Sequence, residues 1–317
     1  MKEILSIGIP TYNRASQLRN QLQSLFKQDL SLIKEIIVVD NNSDYDIKKL
    51  VKEFNSEKIR LVINPFNVMM STNMVNPFLY CKTEWLWLIS DDDETLASSI
   101  NLIISMIKRV KDSTGMIKFS LTQKENPSKL HEVGSLEDFI DYYFYDKNFN
   151  RGELVFMSNA VYNTKNINSF LGYMFEYSYT YIAYLVPIFI GLNQRKISVA
   201  FSNEQIVKYL PPKDGGWQVS RVGLGLSNLS HIPINLSNKY YKRFLNITMT
   251  VTHSFLFKNL FVHYEPVKSK KAFRLIYNNI YSYYLSCSEK IIAKLFLITL
   301  GNSWFVRLLK RINKLAK

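Results

Sequence analysis

The sequence predicts an α/β fold, with a mostly parallel central sheet that carries helices on both faces. Three observations point there. Apolar runs of strand length recur over the first 121 or so residues, helix-patterned segments separate them, and the early runs stop at polar or acidic residues. Strands buried on both faces read as continuous apolar runs, and in such sheets ligands collect outside the strands' C-terminal ends.

Each element follows in order. Ile4 to Ile9 is the first apolar run, followed by Pro10-Thr11-Tyr12-Asn13-Arg14. Leu18, Leu22, Leu25 and Phe26 then share one helical face. Glu35 to Val39 forms a second strand that stops at Asp40-Asn41-Asn42-Ser43, which completes a β-α-β unit. A helix-like segment from Asp46 to Phe54 leads to a third strand, Ile59 to Ile63. The fourth, Trp85 to Ile89, ends at Ser90 and three successive carboxylates, Asp91, Asp92 and Asp93. An apolar helix should follow from residue 96, then a turn at Asp112 to Gly115, a strand from Met116 to Leu121 and a polar loop from Thr122 to Gly134.

The carboxylate triplet carries the chemistry. Three adjacent acids repel one another unless a cation neutralises them, and hard oxygen ligands favour Mg²⁺ or Mn²⁺. The same residues would also suit an acidic helix start.

In that order, these segments resemble the nucleotide-sugar-binding half of family 2 glycosyltransferases of the GT-A fold, a Rossmann-like architecture. Pro10 to Arg14 is similar to the family's opening loop, Val38 to Ser43 to its second strand end, and Ser90 to Asp93 to its acidic metal motif. The resemblance implies donor contacts from Pro10, Thr11, Tyr12, Arg14, Asp40, Asn41, Asn67 and Asp91. It also implies a Mn²⁺ or Mg²⁺ ion on the diphosphate, held by Asp92 alone or by Asp91 with Asp93. Ser90 stands where the family motif begins with Asp, and the Gly expected after the third strand is missing from Asn64-Pro65-Phe66-Asn67-Val68. Uridine is the expected nucleobase.

An inverting transfer needs a general base to activate the acceptor hydroxyl. Glu176, in a segment expected to open a helix, is the first candidate, and Asp214, in the Pro- and Gly-rich loop Pro211 to Trp217, is the second. Their structural alternatives are a helix-start carboxylate and a turn residue. Trp217 would stack on a sugar or close a core. Gly223-Leu224-Gly225 lacks a third glycine and reads as a turn. Residues 1–235 are thus expected to form the catalytic domain, with 1–120 for the donor and 121–235 for the acceptor, and 236–317 a helical basic appendage.

Composition fits a globular enzyme, with 47% hydrophobic residues and no apolar run near the length of a bilayer span. The absence of a signal-like N-terminus and of a cysteine pattern points to the cytoplasm. Cys81 and Cys287 read as small packed residues, and His131, His231, His253 and His263 lie too far apart for a metal motif. From residue 240 onward there are fourteen Lys and Arg against Glu265 and Glu289, or +12 of the formal +14. On a helix over 303–317, Trp304, Phe305, Leu308, Leu309, Ile312 and Leu315 oppose Arg307, Lys310, Arg311, Lys314 and Lys317. Such a helix would lie on an anionic membrane surface or pack on its own domain with a solvated basic face.

The expected enzyme is therefore a metal-dependent inverting glycosyltransferase. It would use a nucleotide-sugar donor and a glycan or polyprenyl-linked glycan acceptor in bacterial surface polysaccharide synthesis, in the cytoplasm or peripherally at the inner face of the cell membrane, with no nucleic-acid partner. A nucleotidyltransferase, a non-catalytic sugar-nucleotide or membrane module and a nucleic-acid binder are the alternatives.

Overall fold

A computed structural model describes residues 3–122, 124–126, 129–146, 151–208, 219–249 and 266–299. Packing divides the chain into two compact units. One comprises Met1–Tyr142 and Val155–Pro212, the other the described residues of Tyr143–Leu154 and Lys213–Lys317, so the division does not fall at residue 235.

The first unit is built on strands β1 (Leu5–Thr11), β2 (Ile33–Asp40), β3 (Ile59–Ile63) and β4 (Trp85–Leu88). They are joined by helices α1 (Ala15–Phe26), α2 (Ile47–Lys52) and α3 (Met70–Tyr80). Leu18, Leu22 and Leu25 of α1 are buried, as their spacing requires. Asp46 caps α2 by accepting the Lys49 N–H at 3.0 Å. Continuous burial of Ile36 to Val39 and of Trp85 to Ile89 removes both faces of β2 and β4 from water. Burying each such side chain contributes about 1.5–3 kcal/mol.

The chain continues through β5 (Glu94–Thr95), α4 (Ser99–Ile107), β6 (Thr114–Ser120), β7 (Leu130–Val133), α5 (Leu136–Phe144), α6 (Arg151–Val155) and β8 (Ala160–Asn163). After these come α7 (Leu171–Glu176), α8 (Val186–Asn193), which is apolar and buried up to Leu192, β9 (Ser198–Gln205) and β10 (Val207–Lys208). The eight-stranded sheet has the order β3-β2-β1-β4-β8-β6-β9-β7, and β5 pairs with β10 in a separate two-stranded ribbon. β3, β2, β1 and β4 are parallel, as are β6 and β9, while β8 runs antiparallel to β4 and β6.

The chain winds outward from β1 through β2 to β3, then crosses back to place β4 on the other side of β1. Connections leave β1 and β4 in opposite directions, so a crevice opens above their C-terminal ends. Pro10 to Arg14 and Ser90 to Asp93 both fall there. Where α3 crosses β1, Gly8 permits the approach: a Cβ on Gly8 would lie 2.6 Å from the Pro77 Cβ.

Three local expectations are corrected. The segment read as loop from Thr122 to Gly134 contains β7, whose hydrogen bonds to β9 impose strand on a polar sequence. Gly223 and Gly225 lie inside α9 (Val219–Ser227) rather than in a turn, because burial of Val222 and Leu226 one turn apart decides the local structure. Cys287 is exposed at the start of a helix, not packed, while Cys81 is half-buried.

The second unit is helical where described. α9 is followed by α10 (Asn238–Thr248) and α11 (Pro266–Ile276); α11 continues into a π-helical turn, Tyr277–Tyr281, before α12 (Cys287–Thr299). Phe244, Phe273, Ile276, Ile280 and Tyr281 are buried. Ile291, Ile292 and Ile298 of α12 are exposed. Among the described residues no helix is long and apolar enough to cross a membrane.

Replacing Gly8 with Ala is expected to lower the unfolding free energy by about 1–3 kcal/mol, since the added methyl must displace α3 from β1. Urea denaturation measures this, and an unchanged midpoint would contradict the close approach.

Candidate active site

The site starts from the two strand ends at the crevice. Thr11, the last residue of β1, is buried and donates its hydroxyl to Asp91 Oδ2 at 2.6 Å. Arg14 donates from Nη1 to Asp91 Oδ1 at 3.1 Å and to Asp92 Oδ2 at 2.6 Å. One guanidinium thus spans two of the three carboxylates. Partial burial works against its charge, yet Asp91 and Asp92 hold the Arg14 pKa above its ordinary value.

The three acids diverge. Asp91 and Asp93 are buried, whereas the Asp92 side chain is 33% exposed. Burial pushes Asp91 up to about 6, aided by Asp92 and opposed by Thr11 and Arg14. It pushes Asp93 up to about 7, against the hydrogen bond from Ser158. Ser158 is fully buried just before β8, receives the Ser90 N–H at 2.8 Å and donates to Asp93 Oδ2 at 2.5 Å. Its carbonyl also accepts the Trp87 indole N–H at 2.8 Å. The Ser90 hydroxyl donates to Asp92. The β5–β10 pairing then ties the far end of the acidic loop at Glu94 and Thr95.

The ends of β2 and β3 form the second wall. Asp40 is buried and accepts the Ser43 hydroxyl at 2.5 Å and its N–H at 3.1 Å, closing the turn after β2. Asn13 and Asp44 exchange two hydrogen bonds of 2.8 Å that join the β1 and β2 loops. Asn41, expected to read the donor, turns both ends of its amide inward. Its Nδ2 donates to Asn67 Oδ1 at 2.8 Å, and its Oδ1 accepts from Asn64 Nδ2 at 3.1 Å and from the Val68 N–H at 2.9 Å. Asn73 of α3 extends the network by accepting from Asn64 at 2.9 Å and donating to the Thr11 and Val39 carbonyls. Asn67 also accepts the Met69 N–H at 2.8 Å. These amides, of which Asn41, Asn64 and Asn73 are buried, fix the β3–α3 loop against β1 and β2.

The structure therefore gathers Pro10, Thr11, Tyr12, Arg14, Asp40, Asn41, Asn67 and Asp91 to Asp93 at one sheet edge. Tyr12 is exposed there. Glu176 is exposed and closes α7 rather than opening a helix, because the apolar side of that turn, including buried Met174, precedes it. Asp214 and Trp217 lie outside the described residues, as does 303–317.

Sequence reasoning passed over four contributors. Ser158 and Asn73 carry no signal beyond being small and polar, and Asn64 was noted only for the glycine missing nearby. Tyr45 stands against Asp40 and Asp91, and burial first, then those carboxylates, pushes its phenol up to about 12.

Among the described residues no three His, Cys, Asp or Glu side chains converge as a cage for an ion. Asp92 is the most exposed member of the triplet, with one oxygen on Arg14 and the other on Ser90.

A model of the family described as Glycosyl transferase family 2 matches residues 6–167, just over half of the chain. The chain belongs to glycosyl transferase family 2. It is similar to the GalNAc(5)-diNAcBac-PP-undecaprenol beta-1,3-glucosyltransferase of Campylobacter jejuni, at 29% identity over 103 residues. That match spans 32% of this chain and only 33% of the relative. Among solved structures, S. aureus TarS 1–349 in complex with UDP-GlcNAc aligns with a TM-score of 0.61 at 12% identity, covering 88% of this chain and 80% of that one. Mannosyltransferase PcManGT from Pyrobaculum calidifontis, in complex with GDP-Man and Mn²⁺, aligns with a TM-score of 0.52 at 12% identity over 95% and 86% of the two chains. At such identities these neighbours establish the GT-A fold.

Replacing Ser158 with Ala leaves Asp93 buried without its donor, so stability is expected to fall by about 1–3 kcal/mol. Chemical denaturation reads the loss; a variant as stable as the wild type would show that Ser158 does not anchor the acidic loop.

Proposed function

We propose that this glycosyltransferase is metal-dependent and inverting, and moves a sugar from a nucleoside-diphosphate donor, UDP-linked by preference, to a hydroxyl of a glycan or lipid-linked glycan in bacterial surface polysaccharide synthesis. The observation that carries the reading is the acidic loop at the switch point, closed onto the end of β1 by Thr11 and Arg14. Support for the donor comes from TarS, a neighbour in complex with UDP-GlcNAc, and support for a lipid-linked acceptor from the undecaprenol named in the Campylobacter relative.

The chain's own residues divide the work. Thr11, Tyr12 and Asp40 border the crevice above β1 and β2, where the nucleoside would lie, and the buried Asn41, Asn64 and Asn73 hold that border rigid. Arg14 has its guanidinium at the mouth of the acidic loop, where a departing diphosphate would gather negative charge. Asp92 would hold a Mn²⁺ or Mg²⁺ ion. When bound, such an ion supplies Lewis-acid stabilisation of the leaving diphosphate. Buried Asp91 and Asp93 keep Asp92 in place through Arg14 and Ser158 rather than by binding directly.

Glu176 is the described carboxylate assigned to the acceptor side, as general base for the attacking hydroxyl. Its exposure on α7, a helix that packs on α3 beside the donor edge, supports this role. The exposed Ile291, Ile292 and Ile298 of α12, within a segment from 266 to 299 that holds six Lys or Arg and one Glu, support contact with an anionic membrane where a lipid-linked acceptor would reside.

Nucleoside diphosphate release from a panel of nucleotide sugars tests the reading. Asp92→Asn is expected to lower turnover by about 10²–10³, the scale of losing one electrostatic stabiliser. Chelation of divalent ions should abolish release in the wild type and added Mn²⁺ or Mg²⁺ restore it; release that survives both treatments would overturn the metal assignment. Glu176→Gln should lower turnover by about 10²–10⁴ with donor affinity unchanged, because a base acts only in the chemical step. Equal losses in both would make Glu176 structural.

A further inference from the structure

Beside the donor edge lies an aromatic surface that the steps above do not use. α7 and the 3-10 turn after it, Ser178–Thr180, set Tyr173, Tyr177 and Tyr179 in a row. Their ring centroids are 6.3 and 6.0 Å apart, and the planes tilt by 34° and 44°. Tyr179 is 51% exposed, and both the helix and the turn pack against α3. At the head of α3, Met69 is 71% exposed and Met70 is also exposed. The Tyr181 hydroxyl donates to Met70 Sδ at 3.9 Å, which joins the two segments.

Two backbone features mark the same place. Met69 has φ 69° and Tyr181 has φ 73°, in the left-handed region that bulky residues seldom occupy. Strain of this kind persists where the surroundings impose it, commonly at ligand sites. The surface is also continuous with the donor edge. Asn73 of α3 donates to the Thr11 carbonyl at 3.3 Å, and Asn67 holds the Met69 N–H.

The chemistry of the surface selects a class of ligand. Glu176 is the sole charged residue from Tyr173 to Tyr181, and there is none from Asn64 to Thr72. Two segments that bring no cation suit neither phosphate-rich lipid nor nucleic acid. Tyrosine offers a rigid apolar face with a polar tip, and a pyranose offers an apolar face of C–H bonds with hydroxyls at its rim. Tilted rings about 6 Å apart match successive sugar faces, and here two half-buried tyrosines lead to the exposed ring of Tyr179.

We propose that Tyr173, Tyr177 and Tyr179, with Met69 and Met70, form the platform on which the pyranose rings of a neutral glycan acceptor lie, its reacting hydroxyl toward Glu176. This inference rests on the transferase reading and adds where the acceptor binds and through which faces.

Saturation-transfer NMR on the full chain tests it, with methyl β-D-glucopyranoside, methyl α-D-galactopyranoside and N,N′-diacetylchitobiose as probes. At least one probe is expected to receive saturation at its ring C–H protons from the wild type. The Tyr177→Ala/Tyr179→Ala variant should reduce that transfer by about fivefold or more, the scale of losing stacked aromatic contacts, without a change in melting temperature. If the double variant melts early, Tyr179→Ala alone, at an exposed position, should still show a reduction. Transfer undiminished in the folded variant, or no transfer to any probe from the wild type, overturns the platform. Sugar binding by a wild-type chain that releases no nucleoside diphosphate from any nucleotide sugar would instead refute the transferase reading and leave the platform standing.

Discussion

Three consecutive carboxylates at the end of a buried strand are the constraint around which this protein is arranged. Asp91, Asp92 and Asp93 leave β4 beside β1, where the strand order turns from the β3-β2-β1 run to β4. An uncompensated buried carboxylate costs several kcal/mol, so the fold must supply partners. It does so from two directions. Thr11 and Arg14 at the end of β1 take Asp91, and Ser158 before β8 takes Asp93. Asp92, between them, is left with one face on Arg14 and Ser90 and a third of its side chain toward solvent. The buried neighbours explain why a single oxygen-rich position is presented outward.

The donor wall uses a different device. Its rigidity comes from neutral amides, Asn41, Asn64, Asn67 and Asn73, each bonded to another or to backbone. Such a network positions the β3–α3 loop without adding charge next to the proposed diphosphate site. It also places α3 so that its head, with Met69 and Met70, borders the tyrosine row. Donor edge and aromatic surface are thus joined through one helix.

The strands were legible in the sequence because parallel strands buried on both faces leave unbroken apolar runs, as in Ile36 to Val39 and Trp85 to Ile89. The clustering of Thr11, Arg14, Asp40 and the acids at one edge followed from the β-α-β alternation. Contacts that depend on pairing across long separations were not legible. Ser158 meets Asp93 across 65 positions, and β7 exists only because β9 lies beside it. Asn64 and Asn73 carry no local signal and become bracing only once Asn41 is beside them. Glu176 illustrates a boundary error: the residue expected to begin a helix ends one, between Tyr173 and Tyr177.

The central claim is that Asp92, the most exposed carboxylate of the triplet, meets a cation on the donor's diphosphate. A crystal structure of the chain with a nucleoside diphosphate and Mn²⁺, the ion located by its anomalous scattering, tests this most directly. The account predicts an ion shared between Asp92 and the diphosphate above β1 and β4, with Asp91 still held by Thr11 and Asp93 by Ser158. An ion and nucleotide bound away from that edge, or bound there with Asp92 turned to bulk water, would contradict it.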